Sequence, residues 1–552
     1  MREGFFGLNV AVRGLYTAQR ALDVVNHNLN NVNTPGYSRQ QAVQTAARPM
    51  HIFDGTGMLG TGSDVKSIER IRDEYMDFKY WSENIAMGEW NVKRELLADI
   101  EATINEPSNS GFNKILAEFF SSLQELGKDP SSSAVRSLVR EKGVMVAKYF
   151  NSVAAHFEKL QADVNDRIKT KVGEINSIGT QIQQLNRQIY ATELDGSNAN
   201  DLRDQRALLV DRLSRIINME ANEVVVGKLP GGKDDKRFVI SVSGKAFIDH
   251  FQLTRLSLNM RQTGQKLNAE DIENLYEISW EDKNTLEIKG GELKGLLEIR
   301  DGNDGDPAAA GYPVPSAKSP LYKGIPFYQK KLNQFVRTFA MAFNEGFIDG
   351  NGDKSIDDAA GENLRGHADG YKLDSVQGEP PSGIRFFTRL GENGKPVSSA
   401  AFIGGAATNA EIYAAYDSIT AKNFAVSEDI QNDIKLISAS DAPGQVGNIN
   451  NLNSVLSMRR NPKMFAEGAP EDFMKSLVSI LGVDSQQAVV LSGNHEVIVK
   501  QLENRRISIS GVSIDEEMAN LVKFQQAYNA SAKMITTMAE VYDTLINRMG
   551  VR

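Results

Sequence analysis

The sequence predicts a multidomain α+β protein, with long paired N- and C-terminal helices, a helical-bundle tier and outer β-rich modules. Three observations predict it. Apolar residues alternate spacings of three and four along both chain ends. The same rhythm runs with few breaks from about residue 84 to 217. Between about 219 and 290 it gives way to short apolar or alternating runs bounded by Gly and Asp, the pattern of strands and turns.

At the N-terminus, Leu8, Ala11, Leu15, Ala18, Leu22, Val25, Leu29 and Val32 form one row, with leucine at every seventh position from Leu8 to Leu29. A stripe this narrow is a coiled-coil seam rather than the wider face of a core helix. Thr34-Pro35-Gly36-Tyr37 then stops the helix. Pro35 has no N–H to donate and pushes Thr34 out of the helical region. Pro35-Gly36 suits the central positions of a type II turn, with Gly36 at positive φ. Burying this row supplies on the order of 10–20 kcal/mol gross. Ordering about 25 residues of backbone costs roughly 25–50 kcal/mol before hydrogen bonds contribute. The helix therefore needs the C-terminal helix, the body of the protein or neighbouring copies.

At the other end, Ser513 and Glu516 form a capping-box pattern, Asp515, Glu516 and Glu517 put negative charge in the first turn, and Arg548 and Gly550 mark the stop. Ile514, Met518, Leu521, Tyr528, Ile535, Tyr542 and Ile546 step by helical spacings. Phe524, Met534, Met538, Val541 and Leu545 make a second apolar row. One helix with two apolar faces needs two sets of neighbours. Chain termini usually fray, so strong seams at both ends point to self-pairing.

Between the ends, 55–80 holds a Gly-rich turn region and extended chain entering a helix. Helical pattern returns at 325–347 and about 412–506, while 349–410 is Gly-rich and polar with short candidate strands. The order helix, β, helix, β, helix predicts a nested chain that goes out through helical layers and comes back. The expected units are 1–54 with 507–552 as inner terminal segments, and 55–218 with 291–348 and 411–506 as a helical core. A β-rich outer domain is expected at 219–290 and a Gly-rich outer module at 349–410.

Composition narrows function. The formal charge of −9 over 552 residues lacks the basic balance of a nucleic-acid binder. Cysteine is absent, which removes disulfides, thiolate metal sites and Cys nucleophiles. No apolar run reaches membrane-spanning length, and the start shows no removable signal-peptide pattern. Motifs for chemistry fail on inspection. GKLPGGKD at Gly227–Asp234 ends in Asp where a phosphate loop needs Ser or Thr, so it reads as a turn. The stretch from Asp349 imitates a calcium loop but has Lys354 in place of the required Gly and Ala360 in place of the bidentate Glu. The six histidines show no metal-ligand spacing. No catalytic, cofactor or metal residue is nominated, and the expectation is a protein without catalysis or cofactor.

VNHNLNNVNTPGYSRQ resembles the N-terminal signature of bacterial flagellar axial proteins, which comprise rod, hook and hook-associated proteins. GTGSDVKSIERIRDEY, ANDLRDQRALLVDRLS, GGELKGLLEIRD and SGVSIDEEMANLVKFQQAYNASAKMITTMAEVYDTLI resemble further segments of that family. Ser38-Arg39-Gln40 after the turn, together with Asn200-Asp201-Leu202, is similar to its hook-associated members at the hook–filament junction rather than to the hook protein. The resemblance implies a structural subunit of the flagellum, exported to the cell exterior without a cleaved signal peptide. It implies as partners other copies of the chain in a ring-like oligomer, the hook protein, a second hook–filament junction protein, a flagellar export chaperone on the C-terminal helix, and the type III export apparatus. It implies that the seam Leu8–Val32 and the C-terminal residues Met518, Leu521, Phe524, Tyr528, Ile535, Met538, Tyr542, Leu545 and Ile546 are assembly surfaces, with Thr34–Tyr37 fixing where the inner helix ends. The rival readings are another axial protein of the hook type, a secreted adhesin or effector whose β modules bind a surface, and a secreted hydrolase with helical export arms, which would need a site in 219–410 where no metalloprotease helix motif stands. Self-pairing ends at both termini weigh against the adhesin.

Overall fold

In the computed structural model the described residues are 6–51, 57–104, 111–228, 234–314, 316–346, 365–406 and 408–548. Helix α1 (Phe6–Asn30) opens the chain and is followed by a hairpin, β1 (Gln40–Ala46) with β4 (Ser63–Arg70), whose tip carries β2 (Met50–His51) and β3 (Met58–Leu59). The hairpin lies along α1, where the Thr17 hydroxyl donates to Ser63 O over 2.8 Å. Then come α2 (Glu74–Ile104), α3 (Phe112–Lys128), α4 (Ser133–Glu193) and α5 (Asn200–Ile216).

The molecule is organised on α4, a helix of 61 residues. The Ser132 side chain accepts from Val135 N at its start, satisfying one of the donors a helix N-terminus leaves open. Its buried row includes Phe150, Phe157, Val164, Ile168, Ile175 and Ile182, so one stripe of this helix belongs to the core over nearly its whole length. Two glycines on α4 seat the two outer modules. At Gly179 a Cβ would come within 2.6 Å of Phe247, and at Gly143 within 2.6 Å of Phe386. Any larger residue there would displace a module that the spine holds at close range.

The first module is an antiparallel sheet in the order β5-β6-β7-β8, formed by β5 (Glu220–Lys228), β6 (Asp234–Val242), β7 (Lys245–Asp249) and β8 (Gln252–Leu253). It is joined by the antiparallel pair β9 (Leu256–Met260) and β10 (Tyr276–Trp280). Polar groups on α4 fasten it: Gln183 Nε2 donates to Phe251 O over 2.6 Å, and Asn186 Nδ2 to His250 O over 2.9 Å. The chain re-enters the core through α6 (Glu292–Asp301) and α7 (Ile325–Glu345).

The second module carries β11 (Phe387–Arg389), α8 (Ser399–Ile403), α9 (Asn409–Tyr416), β12 (Phe424–Val426) and α10 (Glu428–Asn432). It joins the helices through an aromatic cluster in which Phe119, Phe339 and Phe343 meet Phe386 and Phe387 at ring distances of 5.1–5.9 Å. After α11 (Asn450–Ser457), helix α12 (Pro470–Ser510) returns antiparallel along α2 and leads into α13 (Ile514–Asp543), which ends in a π-turn over Thr544–Arg548. Ser492 Oγ meets Asn91 Oδ1 at 2.7 Å and Arg506 Nε meets Asp77 Oδ1 at 3.0 Å, which fixes the α2–α12 direction.

Three expectations are corrected. The helix expected across 412–506 is interrupted, because Asp441-Ala442-Pro443-Gly444 and Pro462 break it and Pro470 begins the long helix only at its N1 position. The outer module expected to end at 410 extends further: Phe387 pairs with Val426 and Arg389 with Phe424, so the chain as far as α10 belongs to it. The capping box at Ser513 is half formed. Its hydroxyl accepts from Glu516 N, but the Glu516 carboxylate is taken by Arg39 at 2.7 Å. The calcium-loop look-alike from Asp349 to Ala360, the turn residues 229–233, Met549 and Gly550 lie outside the described residues.

His367 gives the second module a pH dependence. It is buried, its Nδ1–H donates to Ile384 O over 2.8 Å, and its Nε2 accepts from Ser438 N over 2.9 Å. Burial pushes its pKa down from 6.5 to about 4. A group depressed in the folded state contributes stability that is complete above the unfolded pKa and is lost as pH falls through the folded one. The denaturation midpoint is therefore expected to fall between pH 6.5 and 4, and to fall less in His367→Gln. Equal falls in urea titrations of the two proteins would place the acid sensitivity elsewhere.

Candidate assembly site

The chain ends meet. α1 and α13 run antiparallel in a register fixed at three points. A Cβ on Gly7 would lie 2.9 Å from Met538 Cε, a Cβ on Gly14 would lie 3.0 Å from Ser531 Oγ, and Asn28 Nδ2 donates to Glu517 Oε2 over 3.1 Å. Each pair of numbers sums to 545, so Ala21 lies opposite Phe524. Gly7, Gly14, Ala21 and Asn28 recur every seventh residue, as do Met538, Ser531, Phe524 and Glu517. The contact row of α1 is thus made of small residues that let the partner helix come close. Glycine inside a helix costs about 1 kcal/mol relative to alanine; here the close approach offsets it.

The expected seam lies beside this row. Ala11, Ala18 and Val25 are buried, while Leu8, Leu15, Leu22, Leu29 and Val32 are half-buried. The leucine row is therefore a flank of the contact, not its centre. On α13, Leu521, Phe524, Tyr528, Ile535, Met538 and Tyr542 are half-buried. Met518, Leu545 and Ile546 are exposed, and Glu517 is the one residue of this helix that is fully buried. Gly7 and Gly14 escaped the periodicity reading because glycine carries no apolar weight. Their seven-residue spacing was the available signal.

Below the pair, the turn is held from every side. Tyr37 N donates to Thr34 O over 3.2 Å with Gly36 at φ +77°, the geometry of a type II turn with Pro35 leading. A Cβ at Gly36 would touch Leu208 of α5 at 3.4 Å, so the turn lies flat on the helical tier. Tyr37 donates its hydroxyl to Asn28 Oδ1 over 2.7 Å, and His27 Nδ1 meets the same hydroxyl at 2.9 Å. Burial first, and the nearby Asp201 carboxylate next, hold the Tyr37 phenol above its ordinary range. It stays a neutral donor there.

The residues after the turn clamp the two layers together. Ser38 gives both its N–H and its hydroxyl to Asp204 at 2.7 and 2.9 Å, and Arg70 reaches the same carboxylate at 2.9 Å. Gln40 Nε2 donates to Asp201 over 2.7 Å. Arg39 donates its backbone N–H to Ser510 O and its guanidinium to both Glu516 and Glu517, at 2.7 and 2.8 Å. Ser38-Arg39-Gln40 and Asn200–Asp204 are thus two halves of one lock, with the start of α13 as the third part. Behind it Arg203 and Arg206 converge on Glu223 of β5 at 2.7 and 2.5 Å. Burial alone would raise the Glu223 carboxyl, but the two guanidinium groups outweigh it and hold it at about 2.

Among the described residues no group of three or more His, Asp or Glu is placed to hold a metal, and no helix is long and apolar enough to cross a membrane. What the arrangement offers is surface and register.

Comparison with known proteins accounts for the whole chain. A family model described as flagella basal body rod protein matches residues 8–37, that is, α1 and the turn. One described as flagellar hook-associated protein FlgK helical domain matches 97–363, and one described as flagellar basal body rod FlgEFG protein C-terminal matches 503–549. Flagellar hook-associated protein 1 of Bacillus subtilis is 29% identical over 570 residues, covering 100% of this chain and 99% of the relative. Over its whole length the chain is similar to flagellar hook-associated protein 1. The hook-associated protein 1 sequences of Escherichia coli and Salmonella typhimurium are 26% and 24% identical, each covering 98% of this chain and 99% of the relative. A solved structure titled as the flagellar hook junction protein FlgK from Burkholderia pseudomallei overlaps 56% of this chain and 46% of its own, with a TM-score of 0.40 and 16% identity. All of these likenesses are to flagellar proteins, and those that span the chain carry the name of a hook-associated one.

Two substitutions test the geometry. Gly14→Leu places a branched side chain against Ser531 and is expected to weaken the α1–α13 pair by about 1–3 kcal/mol. Hydrogen exchange should then quicken in 514–543 while 133–193 keeps its protection. Arg39→Ala leaves the buried Glu517 carboxylate with Asn28 alone, an uncompensated charge costing about 3–5 kcal/mol. It should release α13 more than the leucine does. Unchanged exchange in α13 for either variant would show that the pair is held by other contacts.

Proposed function

We propose that this chain is a structural subunit that polymerises as the junction between the flagellar hook and the filament. The observation that carries the reading is the state of the terminal pair. It is locked to the body by the Ser38–Gln40 clamp, yet Met518, Val522, Met534 and Val541 of α13, and Ile546 in the π-turn after it, keep 44–62% exposure. Exposed apolar side chains gathered on one helix in this number mark an interaction surface. A ring of copies buries it through heterologous contacts that close. In this reading 1–54 with 507–552 form the inner layer and the helical tier the next. The sheet at 219–290 and the module from 365 to α10 face outward.

The finer assignments belong to the same proposal. The chain is exported to the exterior without a cleaved signal peptide, through the type III apparatus, and an export chaperone covers α13 until assembly. That fits an apolar helix that would otherwise self-associate before export. The hook protein and a second junction protein are its axial neighbours.

Antibody-gold electron microscopy on detached flagella tests the placement. Label confined to a narrow band between hook and filament is the expected result. Label along the hook or filament would make the chain an axial protein of another position, and unlabelled flagella would overturn the reading. The turn gives a second test. Pro35→Ala with Gly36→Ala should lower incorporation at the flagellum while thermal melting of the helical tier is unchanged. Normal incorporation with normal motility would show that the helix end need not be fixed there.

A further inference from the structure

A cleft of about 550 Å³ opens where the core helix α7 meets parts of both halves of the outer chain. Helix α7 lines it with Arg337, the β9–β10 connection with Glu270, the chain just after α6 with Asn303 and Asp304, and α9 with Tyr413. A second cleft of about 360 Å³ is also lined by Glu270 and Arg337, so the two meet at those side chains. Cavities of this size at a junction between modules are where small ligands usually bind.

Several polar groups of the cleft are unmet. The Glu270 carboxylate is met only by its own backbone N–H and forms no ion pair among the described residues, and burial raises its carboxyl above the ordinary range. Lys330 and Arg337 ease that charge from a distance. Lys330, however, is paired with Asp306, and Arg337 gives its Nε–H to Ile419 O over 2.7 Å and forms no ion pair among the described residues. Asn303 is 4% exposed, and its Oδ1 has no hydrogen-bond partner. Proteins ordinarily satisfy such groups internally. Here an acid and a base line one cleft without pairing. A carboxylate and an amide oxygen are left to accept, and the Nη edge of a guanidinium is left to donate. Phe327 and Met341 line the same cleft and add apolar surface.

We propose that this cleft binds a zwitterion of the α-amino acid or short-peptide class, with its ammonium on Glu270 and its carboxylate on Arg337. The planar fork of an arginine suits a carboxylate, which it can meet with two parallel N–H···O bonds. An ammonium has three N–H groups, enough for the Glu270 carboxylate and the Asn303 amide oxygen together. A ligand with positive charge alone would face Arg337 and Lys330, and one with negative charge alone would face Glu270 and Asp304. One molecule carrying both charges answers both sets. This site does not depend on the function proposed above.

L-Leucine and L-leucyl-L-leucine are the probes, each with the full-length chain in saturation-transfer NMR, and N-acetyl-leucine amide is the uncharged control. At about 5 mM one or both zwitterions should bind, and the control should bind at least about tenfold more weakly. Tighter binding of leucine identifies a free amino acid as the source of the zwitterion, and tighter binding of the dipeptide identifies a peptide. Glu270→Gln removes a charge that has no ion-pair partner in the fold. It should weaken zwitterion binding at least about tenfold, with the melting temperature unchanged. In that variant N-acetyl-leucine should bind as well as leucine, because the ammonium has lost its partner; a purely structural role for Glu270 would leave the preference for leucine in place. No binding of either zwitterion, equal binding of the uncharged control, or undiminished binding to Glu270→Gln overturns the proposal.

Discussion

The Glu517 carboxylate is the constraint on which the arrangement of the ends depends. It is 1% exposed, and a charge so placed must be met by donors or neutralised. Its donors are Asn28 at the end of α1 and Arg39 just beyond the turn. Both can reach it only if α1 stops where it does and the chain reverses at Pro35-Gly36. The same Arg39 takes Ser510 O, so the last residue of α12 is tied in as well. One buried charge thus fixes a helix end, a turn and a helix start relative to one another. The glycines at 7 and 14 carry that fixed register along the rest of the pair.

The body obeys a different rule. There the long helix α4 is held by apolar burial along one stripe, and the modules are placed by what its glycines leave room for. Aromatic rings join the second module to the core, with Asn151 and Asn344 donating to its backbone carbonyls, and Phe247 on Gly179 joins the first, with Gln183 and Asn186 donating to its carbonyls. The body is therefore defined by packing, and the ends by a polar lock with a narrow apolar seam. A polar lock is directional and needs a small area, which leaves the outward faces of α13 free for other surfaces.

Much of this could be read from residue order. The stop at Pro35-Gly36, the strands between 219 and 290 and the long helical tier follow from local rules of turn chemistry and periodicity. The leucine row could be read as a seam, but not which side of it the partner takes, because an amphipathic stripe fixes a face to within a few tens of degrees and α13 approaches on the side of the smaller residues. The clamp was visible only as two motifs, Ser-Arg-Gln and Asn-Asp-Leu-Arg-Asp, with nothing in the sequence to say that Ser38 meets Asp204 across 166 positions. The reach of the outer module to α10 depended on a three-residue strand pairing, too short to leave a period.

The contact between Asn28 and Glu517 joins residues 489 positions apart. Nearly the whole chain must therefore be present before the pair can close. Closing so long a loop is entropically costly, and it becomes affordable only after the body has folded and brought positions 40 and 510 together. Folding order is thus written into the topology: spine and modules first, chain ends last. On the function proposed above, the surface that copies would share comes into being only on a finished molecule, so truncated or half-folded chains would lack the means to join a growing structure.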